Sequence, residues 1–282
     1  SKLDEKKNGK ILSVEKVNFS EAYFENKDIK RSFALDKTNI YKIRYLSDGL
    51  EVVGFIVRPK KERKYPVIIF NRGGNKEFSK ITKGTLNFLS GIASKGFVIV
   101  ASQYRGNDGG EGKEEFGGKD VNDILNLVPL IKSLNFTLPD KIGMLGASRG
   151  GMMSYIAIKK DIDVDAAVII AGVTDLIQTY ERRYGMRHML NSLIGCTPQE
   201  CKKEYIKRSV YYWPEKIDIP VLILHGTKDW RVDVSQAKKL AKKFDKLDKK
   251  YRLVIYNDKH GLSNHYEEWS KEMWGWFDKY LD

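Results

Sequence analysis

Short apolar runs at regular intervals constrain this chain more than anything else in it. They are PVIIF (66–70), FVIVA (97–101), IGMLG (142–146), AAVIIA (166–171), VLILH (221–225) and YRLVIY (251–256). Runs of this length, rich in Val, Ile and Leu without alternation, suit strands covered on both faces, as in a parallel sheet. Helical patterns separate them, at 76–95, 120–134, 149–160, 234–248 and 264–281. In DVNDILNLVPLIKSL, Val121, Ile124, Leu125, Val128 and Ile131 share one helical face, with Pro129 as an irregularity. The alternation predicts an α/β fold with a mostly parallel central sheet flanked by helices. Ahead of it, YKIRYLSDGLEVVGFIVRP predicts an antiparallel hairpin turning at Ser47-Asp48-Gly49. Residues 1–37 are lysine-rich and weakly patterned, and are expected to form an N-terminal arm or small added layer before a domain over 38–282. The stretch 174–214 breaks the rhythm and is expected to form a small helical lid at the ligand-bearing edge of the sheet.

Composition narrows the function classes. The chain has 282 residues, 41% of them apolar, enough to bury a large core. Its 50 basic and 37 acidic residues leave a net charge of +13. The lysines of VSQAKKLAKKFDKL lie opposite an apolar stripe of Val234, Ala237, Leu240, Ala241, Phe244 and Leu247, as on a solvated helix face. No nucleic-acid-binding spacing accompanies them, so no nucleic-acid partner is expected. No apolar run approaches the roughly 18 residues of a membrane span. The chain begins at Ser1, which leaves cytoplasmic and exported locations both open. Cys196 and Cys201, with four residues between them, are compatible with a local bridge or with free thiols. None of the four histidines has HExxH spacing, and neither a metal nor a cofactor is expected.

The stretch GMLGASRGGMM (143–153) places Ser148 between a predicted strand and a predicted helix. A serine there is ordinarily a helix cap. In G-x-S-x-G, small residues two positions either side let the chain double back and thrust the hydroxyl above the sheet. Gly146 and Gly150 meet that need. A serine hydroxyl needs a base to activate it, and the base an acid to orient it. In α/β-hydrolases these follow as Asp or Glu and then His, each in a loop after a later strand. Asp229 follows the run 221–225 and His260 follows 251–256. Asp175 and Asp258 are rival acids, and His265, His225 and His188 weaker bases.

GASRGGMM, HGTKDWRV and DKHG together resemble the catalytic domain of the prolyl-oligopeptidase family of α/β-hydrolases. EEFGGKDVNDIL, YRGNDGGEG, AGVTD and SDGLEVVGFIVRP fit the same pattern, so the resemblance spans roughly 38–282. It implies a serine peptidase or esterase that works through an acyl-enzyme on a peptide or small-molecule substrate. A carboxylesterase acting on small or acyl-sugar esters is the alternative. The oxyanion hole is expected from the backbone N–H of Arg149 and of Arg72 or Gly73. Relatives often carry a tyrosine or histidine where Arg72 stands, which bears on how amides are handled. Family peptidases usually carry a β-propeller, and the 37 or so preceding residues are too few for one blade. Substrate choice is therefore expected to rest on the lid and a rim of Tyr104, Arg105, Tyr184 and Trp230, with Arg72 and Arg149 favouring a negative substrate group.

Two other classes fit less well. Tyr155-x3-Lys159 has the spacing of short-chain dehydrogenases, but no glycine-rich dinucleotide turn follows the first parallel strand. A non-catalytic binding protein on a hydrolase fold would not need Ser148, Asp229 and His260 together.

Overall fold

A computed structural model describes residues 7–27 and 31–281. A nine-stranded sheet runs through it: β1 Ile11–Lys16, β2 Thr38–Ser47, β3 Leu50–Pro59, β4 Tyr65–Asn71, β5 Val98–Ser102, β6 Thr137–Ala147, β7 Ala166–Ile170, β8 Val221–Gly226 and β9 Tyr251–Tyr256. Their spatial order is β1-β2-β3-β5-β4-β6-β7-β8-β9. β1 to β3 pair antiparallel, and β3 meets β5 antiparallel. From β5 to β9 every pairing is parallel. This is an α/β-hydrolase sheet. Of the first 37 residues, β1 adds an antiparallel edge strand to β2, and residues 1–6 and 28–30 lie outside the described residues.

The apolar runs form strands because both sheet faces are covered. Val67 and Ile69 enter one core layer while Ile68 and Phe70 enter the other. Val221 and Ile223 separate from Leu222 and Leu224 in the same way. Helices α1 (Lys83–Ala93) and α4 (Tyr266–Leu281) cover one face; α2 (Arg149–Lys159) and α3 (Ser235–Lys246) cover the other. Each fully buried Val, Leu or Ile contributes roughly 1.5–3 kcal/mol.

Two helical expectations change. The pattern over 120–134 divides into a helical turn at Asn122–Leu125 and a helix at Leu127–Ser133, because Pro129 has no N–H for the Leu125 carbonyl and its ring crowds that residue. Only Lys83–Ala93 of 76–95 is helical; Thr82 caps it by accepting from the Thr85 N–H, and Asn75 forms a bridge with Phe78 upstream.

The stretch 174–214 carries short helices at Leu176–Arg182, Arg187–Ile194 and Lys202–Lys207. Asp175 caps the first of these by accepting from the N–H groups of Ile177 and Gln178. Cys196 and Cys201 are joined in a disulfide between the second and third, Cα to Cα 6.0 Å. Among the described residues, no helix is long and apolar enough to cross a membrane.

Candidate active site

Strand order turns around between β4 and β6, so the loops leaving those two strands part and open a crevice at their C-terminal ends. Ser148 sits there, on the turn from β6 into α2. Its backbone is at φ 55° and ψ −121°, a conformation that L-residues rarely adopt. Tight neighbours hold it. A Cβ at Gly146 would lie 2.6 Å from the Gly150 carbonyl oxygen, and one at Gly150 would overlap the Asn71 carbonyl. The Ser148 N–H donates to the Ile170 carbonyl at 2.8 Å, which ties the turn to β7.

His260 follows β9 and Asp229 follows β8. His260 Nδ1 donates to Asp229 Oδ2 at 2.7 Å; the carboxylate can only accept, so the proton is on Nδ1 and Nε2 is left as a lone pair. Asp229 Oδ1 accepts the N–H groups of Arg231 and Val232 at 2.8 and 2.9 Å. Burial opposes charge on Asp229, but the hydrogen bonds from His225 and His260, with the Val232 N–H, hold its carboxyl far below the usual range. His225 Nε2 lies 3.2 Å from Asp229 Oδ2 and donates to the Val232 carbonyl at 2.8 Å. The rival groups have other duties. Asp175 is the helix cap already described. Asp258 accepts from the N–H groups of Lys259 and Asn264 and lies 3.1 Å from His265 Nδ1, bracing the loop that carries His260.

Ser148 and His260 line one cavity of about 750 Å³. No hydrogen bond joins the Ser148 hydroxyl to His260 among the described residues, as is common before substrate is bound. Gly73 packs beside the hydroxyl, close enough that a Cβ there would lie 3.1 Å from Ser148 Cβ. The backbone N–H groups of Gly73 and Arg149 have no acceptor among the described residues.

Of the expected rim, only Trp230 stands exposed at the cavity, 65% accessible. Tyr104 and Arg105 do not line it. Tyr104 is fully buried beneath, its hydroxyl on the Arg72 carbonyl at 3.1 Å. Arg105 is taken up by Asp123 and Asp48. Tyr184 lies outside the cavity, exposed, with the Arg187 guanidinium 4.0 Å over its ring. Arg72 and Arg149 touch the cavity, but their charges are spoken for. Arg149 pairs with Glu114 and with Asp120, Arg72 lies 3.8 Å from Glu114, and both guanidiniums stack on the Tyr104 ring. The expected pull on an anionic substrate through these two arginines is therefore corrected. Burial disfavours the Glu114 charge, yet Arg149, Asn107, the Lys76 N–H and Arg72 keep its pKa below the usual range. The network pins the loop after β4, since Glu114 accepts from Lys76 N at 3.0 Å and Arg72 donates to the Gly73 and Gln103 carbonyls. Tyr155 is buried in α2 and does not line the cavity.

Sequence reasoning missed Arg183 and Arg231, which line the cavity with Trp230, their guanidinium carbons 4.8 and 5.1 Å from the centre of its ring. The available signal was Arg231 directly after an aromatic residue in a strand-end loop.

A family model, the prolyl oligopeptidase family, matches residues 85–282. The chain belongs to that family. A Bacillus subtilis relative described as an uncharacterized peptidase, YtmA, is 36% identical over 219 residues, which is 77% of this chain and 84% of the relative. Dipeptidyl-peptidase 5 of Porphyromonas gingivalis is 29% identical over 206 residues, but the match spans only 30% of its length. Among solved structures, an acylaminoacyl peptidase of Pyrococcus horikoshii shares the fold with a TM-score of 0.76 at 23% identity, over 94% of this chain and 44% of that one. An acetyl xylan esterase from Paenibacillus sp. R4 shares it at 0.71 and 16% identity, over 99% of this chain and 92% of that one. Membership in the prolyl oligopeptidase family makes the protein a serine hydrolase.

Proposed function

We propose that the protein cleaves ester and amide bonds through an acyl-enzyme on Ser148, with His260 as the base and Asp229 as the group that orients it. The 2.7 Å bond from His260 Nδ1 to Asp229 carries this reading, because it leaves the Nε2 lone pair of an imidazole in the cavity that Ser148 shares. Ser148 Oγ gives its proton to Nε2 as it attacks the carbonyl, and His260 then returns that proton to the leaving group. The free N–H groups of Arg149 and Gly73 receive the developing oxyanion. The helical stretch 174–214 acts as a lid, since Thr179, Arg183 and Met186 supply part of the cavity wall.

Esters are the better substrates on this reading. The Arg72 guanidinium is turned onto carbonyls of Gly73 and Gln103, so it does not supplement the two backbone donors. A fluorophosphonate probe is expected to label the protein, and p-nitrophenyl butyrate to be turned over faster than an aminoacyl p-nitroanilide. Both signals should vanish in Ser148→Ala. Labelling or turnover that survives this substitution refutes the assignment.

A further inference from the structure

We propose that Arg183 and Arg231 form a carboxylate subsite at the cavity mouth, selecting substrates that join an apolar group to a carboxylate. This deepens the hydrolase reading above and rests on it for the catalytic part. The two arginines come from different segments, one from the end of the first helix of the 174–214 insertion and one from the loop after β8. They converge because Arg183 Nη1 donates to the Arg231 carbonyl at 3.0 Å. Their guanidinium carbons lie 4.8 and 5.1 Å from the centre of the Trp230 ring, and Arg231 also lies 5.4 Å from that of Phe78. Both side chains are half-buried.

Neither makes an ion pair among the described residues, in contrast to the adjacent Arg182, which pairs with Asp233. Two like charges held together without a counterion repel. Burial first, and then Arg231, weaken the hold of Arg183 on its proton; Asp229 acts the other way, but its carboxylate is already engaged by two histidines. A bound anion relieves that repulsion, and a guanidinium fork matches a carboxylate in shape. Among the described residues, no Asp or Glu lines the cavity to compete for the arginines or to receive a substrate ammonium. The remaining wall is largely apolar, with Phe70, Phe88, Leu145, Ile170 and Trp269. Such a site takes an apolar group along its wall and an anion at its mouth.

The test compares p-nitrophenyl esters of N-succinyl-phenylalanine and N-acetyl-phenylalanine, which differ by one carboxylate. The succinyl ester is expected to have a kcat/KM about tenfold higher, the size of one or two charge-assisted hydrogen bonds. That ratio should fall to about one in the double variant R183Q/R231Q and be kept only in part in R183K/R231K, which retains the charge without the fork. Because the ratio is read within each variant, damage to folding lowers both rates and leaves it unchanged. In parallel, calorimetry on Ser148→Ala should show tighter binding of N-succinyl-phenylalaninamide than of N-acetyl-phenylalaninamide. Equal rates for the two esters, or a preference that survives R183Q/R231Q, overturn the subsite. Hydrolysis of neither ester, with selective binding of the succinyl amide retained, refutes the hydrolase reading and leaves the subsite standing.

Discussion

Replacing Asp229 by Asn separates orientation from packing in this site. Asp229 Oδ1 receives two backbone N–H groups, from Arg231 at 2.8 Å and Val232 at 2.9 Å. An asparagine must keep its carbonyl oxygen there, since an amide NH2 would face two donors. The NH2 then occupies the position of Oδ2, 2.7 Å from His260 Nδ1. A donor facing a donor is unfavourable, so the imidazole proton moves to Nε2 and Nδ1 accepts instead. His260 then presents Ser148 with a proton where it should present a lone pair. The loss expected in kcat is about ten-thousandfold, the scale set by a mis-set tautomer in a Ser-His-Asp arrangement. At 1.36 kcal/mol per decade that is about 5.4 kcal/mol of transition-state stabilisation. The fold should survive, because both backbone N–H groups keep their acceptor. The assay is kcat on p-nitrophenyl butyrate at pH 8, beside circular dichroism and thermal unfolding. A folded Asp229→Asn enzyme that loses less than about tenfold in kcat refutes the orientation argument.

Three further outcomes follow from the same geometry. Glu114→Gln removes the carboxylate between Arg149 and Arg72 and should cost at least about 3 kcal/mol in urea unfolding, the scale for a buried charge left without its partner; a change under 1 kcal/mol would show that Asp120 compensates alone. Ser148→Gly should be more stable than Ser148→Ala by about 1 kcal/mol, because only glycine sits at φ 55° and ψ −121° without strain, and equal melting temperatures would contradict this. The Asp258 carboxyl is held down at about 2, against an ordinary 3.8, by hydrogen bonds from His265, Lys259 and Asn264 that outweigh the effect of burial. A lowered pKa contributes stability above the unfolded value, lost as pH falls through 3.8 towards 2; Asp258→Asn should flatten the stability curve in that window, and a wild-type slope there would refute the assignment.

The parallel strands were legible because a strand covered on both faces must be apolar at every position, and Val67 to Phe70 or Val221 to Leu224 leave little other choice. β1 was not, since Ile11–Lys16 is an edge strand exposed over most of its length and carries no such run. β6 begins at Thr137, five residues before its apolar segment, in a polar stretch that includes Pro139. The positions of Ser148, Asp229 and His260 followed from strand-end loops, a topological matter that short motifs reveal. The state of the arginines did not. Arg72, Arg105 and Arg149 look alike in sequence to Arg183 and Arg231, and what separates them is carboxylates from other parts of the chain, Glu114, Asp120, Asp123 and Asp48. Pairing across such distances is set by tertiary packing, so local pattern cannot tell a neutralised guanidinium from an open one.

Among the described residues, β9 is the last strand of the sheet and pairs with β8 alone. The imidazole of His260 is thus suspended from the margin of the structure, while the hydroxyl of Ser148 is anchored at its centre. Elements at a margin open at lower free energy than those at a centre. On warming, turnover should fade while most of the sheet is still intact, and it should return on cooling without any need for the chain to refold as a whole.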